Sequence, residues 1–281
     1  MRISVVHSTV YRYESPVRQN PHTFRLRPRQ DGSQRLVNYD LRISPVPAGQ
    51  TECLDQDGNV AIEAWFGPPV EELKVLSSFE VETLRDNPFD FLLAGSHLAL
   101  PLAYHEPLRS AVAPWLENSN GHGIVREFAG GVAEKAGWCT LPFLTALNGT
   151  LFETFQHATR REGSPHSPEV TLGEHTGSCR DLALLFCAVC RAMGIPARFV
   201  SGYERAAAFE EKAHMHAWAE VYLLGGGWRG YDPSRGLAVS TSHVAVAAAA
   251  NPRLAAPITG SYGGAERSKM EVAISMKIEE G

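Results

Sequence analysis

Residues 179 to 193 are the stretch that most constrains the fold of this 281-residue chain. Leu182, Leu185, Phe186, Val189 and Met193 recur at a helical period, while Ala183, Leu184, Cys187 and Ala188 fill the remaining sides. A helix that is apolar nearly all round has to be covered on every side, so the rest of the chain must build layers around it. Gly194 and Pro196 end it. Its start is different in character. Thr176, Gly177 and Ser178 supply capping groups, and Cys179, Arg180 and Asp181 occupy a first turn whose backbone N–H groups have no helical partner. The helix dipole favours a thiolate at that end, and an oxyanion forming beside it can be held by the same N–H groups.

The remaining sequence supplies the layers. Up to residue 90, short alternating runs (ISVVHSTVYRY, LVNYDLRIS, NVAIEAWF, LKVLSSFEVETL) are separated by turn signals such as QDGS, SPVPAG and QDGN, and they predict an antiparallel β module. Residues 91–150 are rich in Pro, Ala and Leu and predict short helices around LRSAVAPWLE, IVREFAGGVAEKAG and FLTALNGTLFETFQ, a connector belonging to the core. Residues 151–281 hold the buried helix, a strand-like ARFVSGY and a hairpin, and end in SKMEVAISMKI, whose Met270, Val272, Ile274, Met276 and Ile278 alternate. That run reads as a closing strand of one of the sheets, with either sheet open to it, and falls by position within 151–281. The expected class is α+β: a helix packed on an antiparallel sheet, preceded by an all-β module.

Charge and cysteine usage narrow the partners. A net charge of -5 leaves no basic excess for neutralising phosphates, which argues against nucleic acid. No run of about 18 uncharged apolar residues suggests a membrane span, and MRISVVHSTVYRYE lacks the pattern of a secretory leader, so a cytoplasmic location is expected. Cys53, Cys139, Cys179, Cys187 and Cys190 are odd in number and show no disulfide-framework spacing. Cys187 and Cys190 read as core packing.

A nucleophilic thiol needs a base, and the base needs an orienting acceptor. In HMHAWAEVYLL, His214, His216, Trp218, Glu220 and Tyr222 share one strand face, and Met215, Ala217, Ala219, Val221 and Leu223 the other. If the hairpin turns near Leu224 or Gly225, Asp232 falls opposite His216 or one pair diagonal to it, on the same face. His214 and His216 could begin a zinc site, but no third ligand is evident and no metal is expected. Trp218 reads as sheet packing rather than substrate binding. Asp181 is either a first-turn charge favoured by the dipole or a buried brace for the site.

The run GSCRDLALLFCAVCRAMGIPARFVSGY, followed by HAWAEVYLLGGGWRGYDPS, resembles the catalytic core of the bacterial transglutaminase-like proteins, a branch of the papain-like cysteine enzymes. YRYESPVRQNPHTFRLRPR resembles the β module that precedes this core in such proteins. The resemblance implies Cys179 as nucleophile, His216 as general base and acid, and Asp232 as the orienting carboxylate. It also marks departures: Arg180 stands where Gln is frequent and Leu184 where His is frequent, and Phe155, Gln156 and His157 replace a Phe-x-Tyr pattern. Those positions shape the acyl pocket and the second oxyanion donor, which makes Gln156 a candidate donor. Ser178, Asp181 and Trp218 are candidates for supporting the site.

The chemistry expected is attack on a peptide or protein amide through a thioester acyl-enzyme, without a cofactor. Water as acceptor makes the chain a peptidase or amidase, the expected outcome in about 55 M water with no evident acceptor channel. A primary amine as acceptor would make it a transglutaminase. An acyltransferase using an activated thioester, and a silent scaffold whose β module binds a partner, are the other readings.

Overall fold

A computed structural model describes the chain except for residues 118–122, 161–162, 206–212, 266 and 280–281. The amino-terminal module is built from β1 (Arg2–Gln19), β2 (His22–Phe24), β3 (Gln34–Ser44), β4 (Gly49–Leu54), β5 (Val60–Trp65) and β6 (Val70–Thr83). Three helices follow, α1 (Leu108–Leu116), α2 (Ile124–Lys135) and α3 (Thr140–Thr154), then β7 (Gln156–His157), α4 (Pro168–Glu174) and β8 (Thr176–Gly177). The apolar helix is α5 (Cys179–Ala192), and β9 (Ala197–Glu204), β10 (Met215–Leu223), β11 (Gly227–Asp232), β12 (Leu237–Ala238) and β13 (His243–Ala249) complete the core. The chain ends with β14 (Ile258–Thr259), β15 (Tyr262–Gly263) and β16 (Ser268–Glu279). The class is α+β, as the periodicities predict.

Helix α5 is surrounded as its sequence requires. Leu182, Leu185, Phe186, Cys187, Val189 and Cys190 are buried among residues of α2, α3 and α4 on one side and Ala197, Ala219, Val221, Leu223 and Tyr231 of the sheet on the other. Burial pushes the Cys187 thiol up to about 12, and Cys190 well above the ordinary thiol range as well, so both act as small hydrophobes. Gly194 ends the helix at φ 72°, and a Cβ there would lie 2.4 Å from the Leu102 carbonyl oxygen, so only glycine fits.

The core sheet runs β12-β11-β10-β9-β13, antiparallel throughout. Ala217, Ala219, Val221 and Leu223 of β10 are buried among the residues packed around α5. Strand β13 lies at the sheet edge, where unpaired backbone groups would be a liability. Two amide side chains from the amino-terminal module take up those groups. The Ala245 N–H donates to Gln34 Oε1 at 2.8 Å and its carbonyl accepts from Gln34 Nε2 at 2.9 Å. Asn59 repeats the clasp on Ala248, at 2.8 and 2.9 Å. Ile3, Val5, Phe79 and Val81 of the module join Tyr203, Val244 and Val246 in a shared apolar cluster.

The carboxy-terminal strand corrects one boundary. The run from 268 falls within 151–281 by position but does not close that core. Instead β16 pairs with β1 along twelve residues, from Arg2 with Glu279 to Tyr13 with Ser268, while β14 and β15 pair with β2 and β1. The reason lies in β1: it is 18 residues long, β6 covers one edge, and the other edge needs a partner of similar length.

Candidate active site

Cys179 opens α5 and is partly exposed, whereas the rest of the helix is largely sealed. What fixes this helix end is Asp181, 1 % exposed. Its Oδ2 accepts from the Ser178 N–H at 2.8 Å and the Ser178 hydroxyl at 2.7 Å. Its Oδ1 accepts from the His166 N–H at 2.7 Å and from the Arg160 guanidinium. Burial would push this carboxyl up, but the hydrogen bonds from Ser178, Arg160 and His166 outweigh it and hold it below the usual carboxylate range. Asp181 is thus a buried brace that ties the preceding loop to the helix start. Arg180, one of the departures, strengthens the same loop by donating to the Gly163 and Arg160 carbonyls at 2.6 and 2.8 Å. Leu184 is half-buried on α5.

The hairpin register brings His216 and Asp232 together. Ala219 faces Tyr231 across β10 and β11, so Asp232 lies one position further on, diagonal to His216 and on its face. His216 Nε2 donates to Asp232 Oδ2 at 2.6 Å. With Nε2 engaged, Nδ1 is the ring atom left for the Cys179 thiol, to which His216 also hydrogen-bonds. Burial would lower the His216 pKa; the hydrogen bond and charge of Asp232, and then those of Cys179, raise it to about 10. For Asp232, burial would raise the pKa, but His216 and His243 hold it far below the carboxylate range. The ring is therefore an imidazolium at neutral pH, the counter-ion that a thiolate nucleophile requires.

Two members of this network carry no signal in a strand pattern. Asp232 Oδ2 also accepts from His243 Nε2 at 3.0 Å, and His243 Nδ1 hydrogen-bonds Ser242 Oγ at 2.9 Å. Ser234 donates to Asp232 Oδ1 from its N–H at 3.0 Å and its hydroxyl at 2.7 Å. Asp232 is fully buried and receives four donors. The ligand atoms of His216, Asp232 and His243 lie within 4.8 Å of one another, a spacing that could suit a metal, but here each is engaged in the hydrogen bonds just described. His214 is exposed and outside this group.

The other candidates fall into two sets. Trp218 is buried beneath the site, its ring 5.1 Å from His243 and 6.4 Å from His216 between centroids. Gly202 makes room for it: a Cβ there would lie 2.6 Å from Trp218 Cη2. Gln156 is exposed on β7, which pairs in parallel with β8 just before Cys179, Gln156 beside Thr176 and His157 beside Gly177. Gln156 is held through its backbone: its N–H donates to the His175 carbonyl at 2.8 Å and its carbonyl accepts from the Thr176 hydroxyl at 3.0 Å.

Comparison with known proteins agrees with this architecture. The bacterial transglutaminase-like N-terminal region matches residues 3–82, and the transglutaminase-like superfamily matches residues 126–233, a span that contains Cys179, His216 and Asp232. An uncharacterized protein of Mycobacterium leprae is 29% identical over 98% of both chains. One of Mycobacterium tuberculosis is 27% identical over 100% of this chain and 94% of its own. Among solved structures, one titled a "Putative Cysteine Protease from Cytophaga hutchinsonii" superposes with a TM-score of 0.72 and 22% identity, covering 100% of this chain and 92% of that one. The full-length structural match shows the same fold, and with the two family regions matched in their order the chain belongs to the transglutaminase-like superfamily and carries the bacterial transglutaminase-like amino-terminal region.

Proposed function

We propose that the protein is a cysteine-dependent amide or peptide-bond hydrolase working through a Cys179-His216-Asp232 triad. The observation that carries this reading is the placing of His216, hydrogen-bonded at 2.6 Å to the buried Asp232 carboxylate on one side and to Cys179 at a helix start on the other. The Cys179 thiolate attacks the amide carbonyl carbon. The Cys179 backbone N–H, which stands in the first turn of α5 where N–H groups have no helical partner, stabilises the oxyanion, with Gln156 as the candidate second donor. As the tetrahedral intermediate collapses, the C–N bond breaks and His216 gives its proton to the leaving amine. His216, now neutral, takes a proton from water, whose oxygen attacks the thioester; collapse breaks the C–S bond, releasing the carboxylic acid and restoring the Cys179 thiolate beside protonated His216. Asp232 keeps the ring oriented throughout, and His243 and Ser234 act as positioning residues for Asp232.

The test is to incubate the protein with amino-terminally blocked peptide pools, with and without a primary amine, beside Cys179→Ala. New amino termini that depend on Cys179 are expected. Amine incorporation at glutamine in place of cleavage would move the assignment to a transamidase. Neither product would overturn both readings and favour a binding scaffold.

A further inference from the structure

In the first sheet, ordered β15-β1-β6-β3 with β16 beside β1, β16 is the outermost strand along most of β1. One of its edges pairs with β1; among the described residues no strand pairs with the other. A free edge this long presents a row of unsatisfied N–H and C=O groups, which natural proteins usually shorten, bulge or cover. Here it also carries apolar surface. Ile274, Met276 and Ile278 pack partly against the cluster shared with the core, but Val272 and Met270, on the same face, are 50 % and 40 % exposed.

The sequence of this edge is complementary to itself. Laid antiparallel against a second copy with Ile274 opposite Ile274, it sets Lys269 against Glu279, Glu271 against Lys277, Met270 against Ile278 and Val272 against Met276. Every charged residue then faces its opposite and every large apolar residue faces another. The two neighbouring registers that keep the same faces aligned lose this. Centring on Ala273 puts Lys269 against Lys277, and centring on Ser275 puts Glu271 against Glu279. The same four charges pair within each strand, Lys269 with Glu271 at 3.1 Å and Lys277 with Glu279 at 2.8 Å, so they already stand on one face as a ladder.

We propose that two copies of this chain associate edge to edge through β16, on a two-fold axis at Ile274, continuing the first sheet across the dimer. The exposed Val272 and Met270 of each copy then meet Met276 and Ile278 of the other. A two-fold contact uses the same patch on both copies, as a self-complementary strand demands. This inference is independent of the proposed chemistry.

Charge reversal tests it, read by sedimentation velocity over a concentration series. In Lys277→Glu, position 277 faces Glu271 as a like charge, twice over by symmetry; Glu271→Lys does the same with two lysines. Each variant alone is expected to weaken the dimer at least about tenfold. An equimolar mixture places opposite charges at both positions, so it restores the parent dimer as a mixed species. Hydrogen exchange of the full chain gives a second readout that needs no variant: amides within 268–279 become more protected as concentration rises. A parent that stays monomeric through the submillimolar range, with concentration-independent exchange, overturns the proposal. So does a parent dimer that both reversals leave intact.

Discussion

His243 Nε2 lies 3.0 Å from Asp232 Oδ2, the same carboxylate oxygen that His216 holds at 2.6 Å. Two rings on one oxygen leave Asp232 a single orientation, and β13, which carries His243, is itself fastened to the amino-terminal module through Gln34 and Ala245. The module thus reaches the Asp232 carboxylate through one strand.

Replacing His243 by Leu keeps much of its bulk and removes the donor. The expected result is a loss of about tenfold or more in Cys179 reactivity at pH 6, since a misplaced catalytic group loses that much through geometry alone. His243→Gln retains an N–H donor and should recover part of it. Alkylation rates at pH 6, with melting curves to show that each variant is folded, check this.

Asp181→Ala strips the acceptor from the Ser178 and His166 N–H groups, the Ser178 hydroxyl and the Arg160 guanidinium. Leaving buried donors unpaired should cost about 3 kcal/mol. Urea denaturation measures the loss, and Asp181→Asn should recover only part of it.

His7 and His216 shift stability in opposite pH windows. His7, buried against Tyr203, has its pKa lowered by burial to about 4 from 6.5, so the unfolded chain binds the proton more tightly. Its contribution is present above pH 6.5 and is lost as pH falls through 4, about 3 kcal/mol in all. His216, raised to about 10, contributes fully below pH 6.5 and loses that contribution as pH rises through 10. Melting temperature against pH should therefore fall on both sides of neutrality. His7→Gln should flatten the acid side, and His216→Gln the alkaline side.

Gln34→Ala exposes the Ala245 N–H, whose carbonyl keeps the Arg29 N–H at 3.0 Å, and Asn59→Ala exposes both the N–H and the C=O of Ala248. Each should destabilise by about 1–3 kcal/mol per orphaned group. Hydrogen exchange should show Ala245 losing protection in the first variant and Ala248 in the second.

Much of this was legible in the sequence because it rests on periodicity. The all-round apolar pattern of 182–193 predicts a buried helix, and the alternation from His214 to Leu223 with the glycine turn places Asp232 opposite or diagonal to His216 on the same face, of which the register selects the diagonal. Such local rules say nothing of what approaches from outside the segment. His243 sits in a run of Val and Ala that reads only as a strand, and its role depends on β13 lying next to β9, a long-range pairing without a local signature. Strand β16 shows the same limit: alternation predicts a strand, but its partner is at the opposite end of the chain. Strands β2 and β4 are short, and β4 is almost wholly exposed, so neither gives the half-buried pattern that alternation detects.

The most direct test of the central claim is the rate of Cys179 alkylation by iodoacetamide against pH, followed by mass spectrometry in the parent and in His216→Ala. A thiolate paired with the His216 imidazolium predicts fast labelling that persists far below the ordinary thiol value of about 8.5 and loses its low-pH arm in His216→Ala. Labelling that rises only near that value, and is the same in both proteins, would contradict the account.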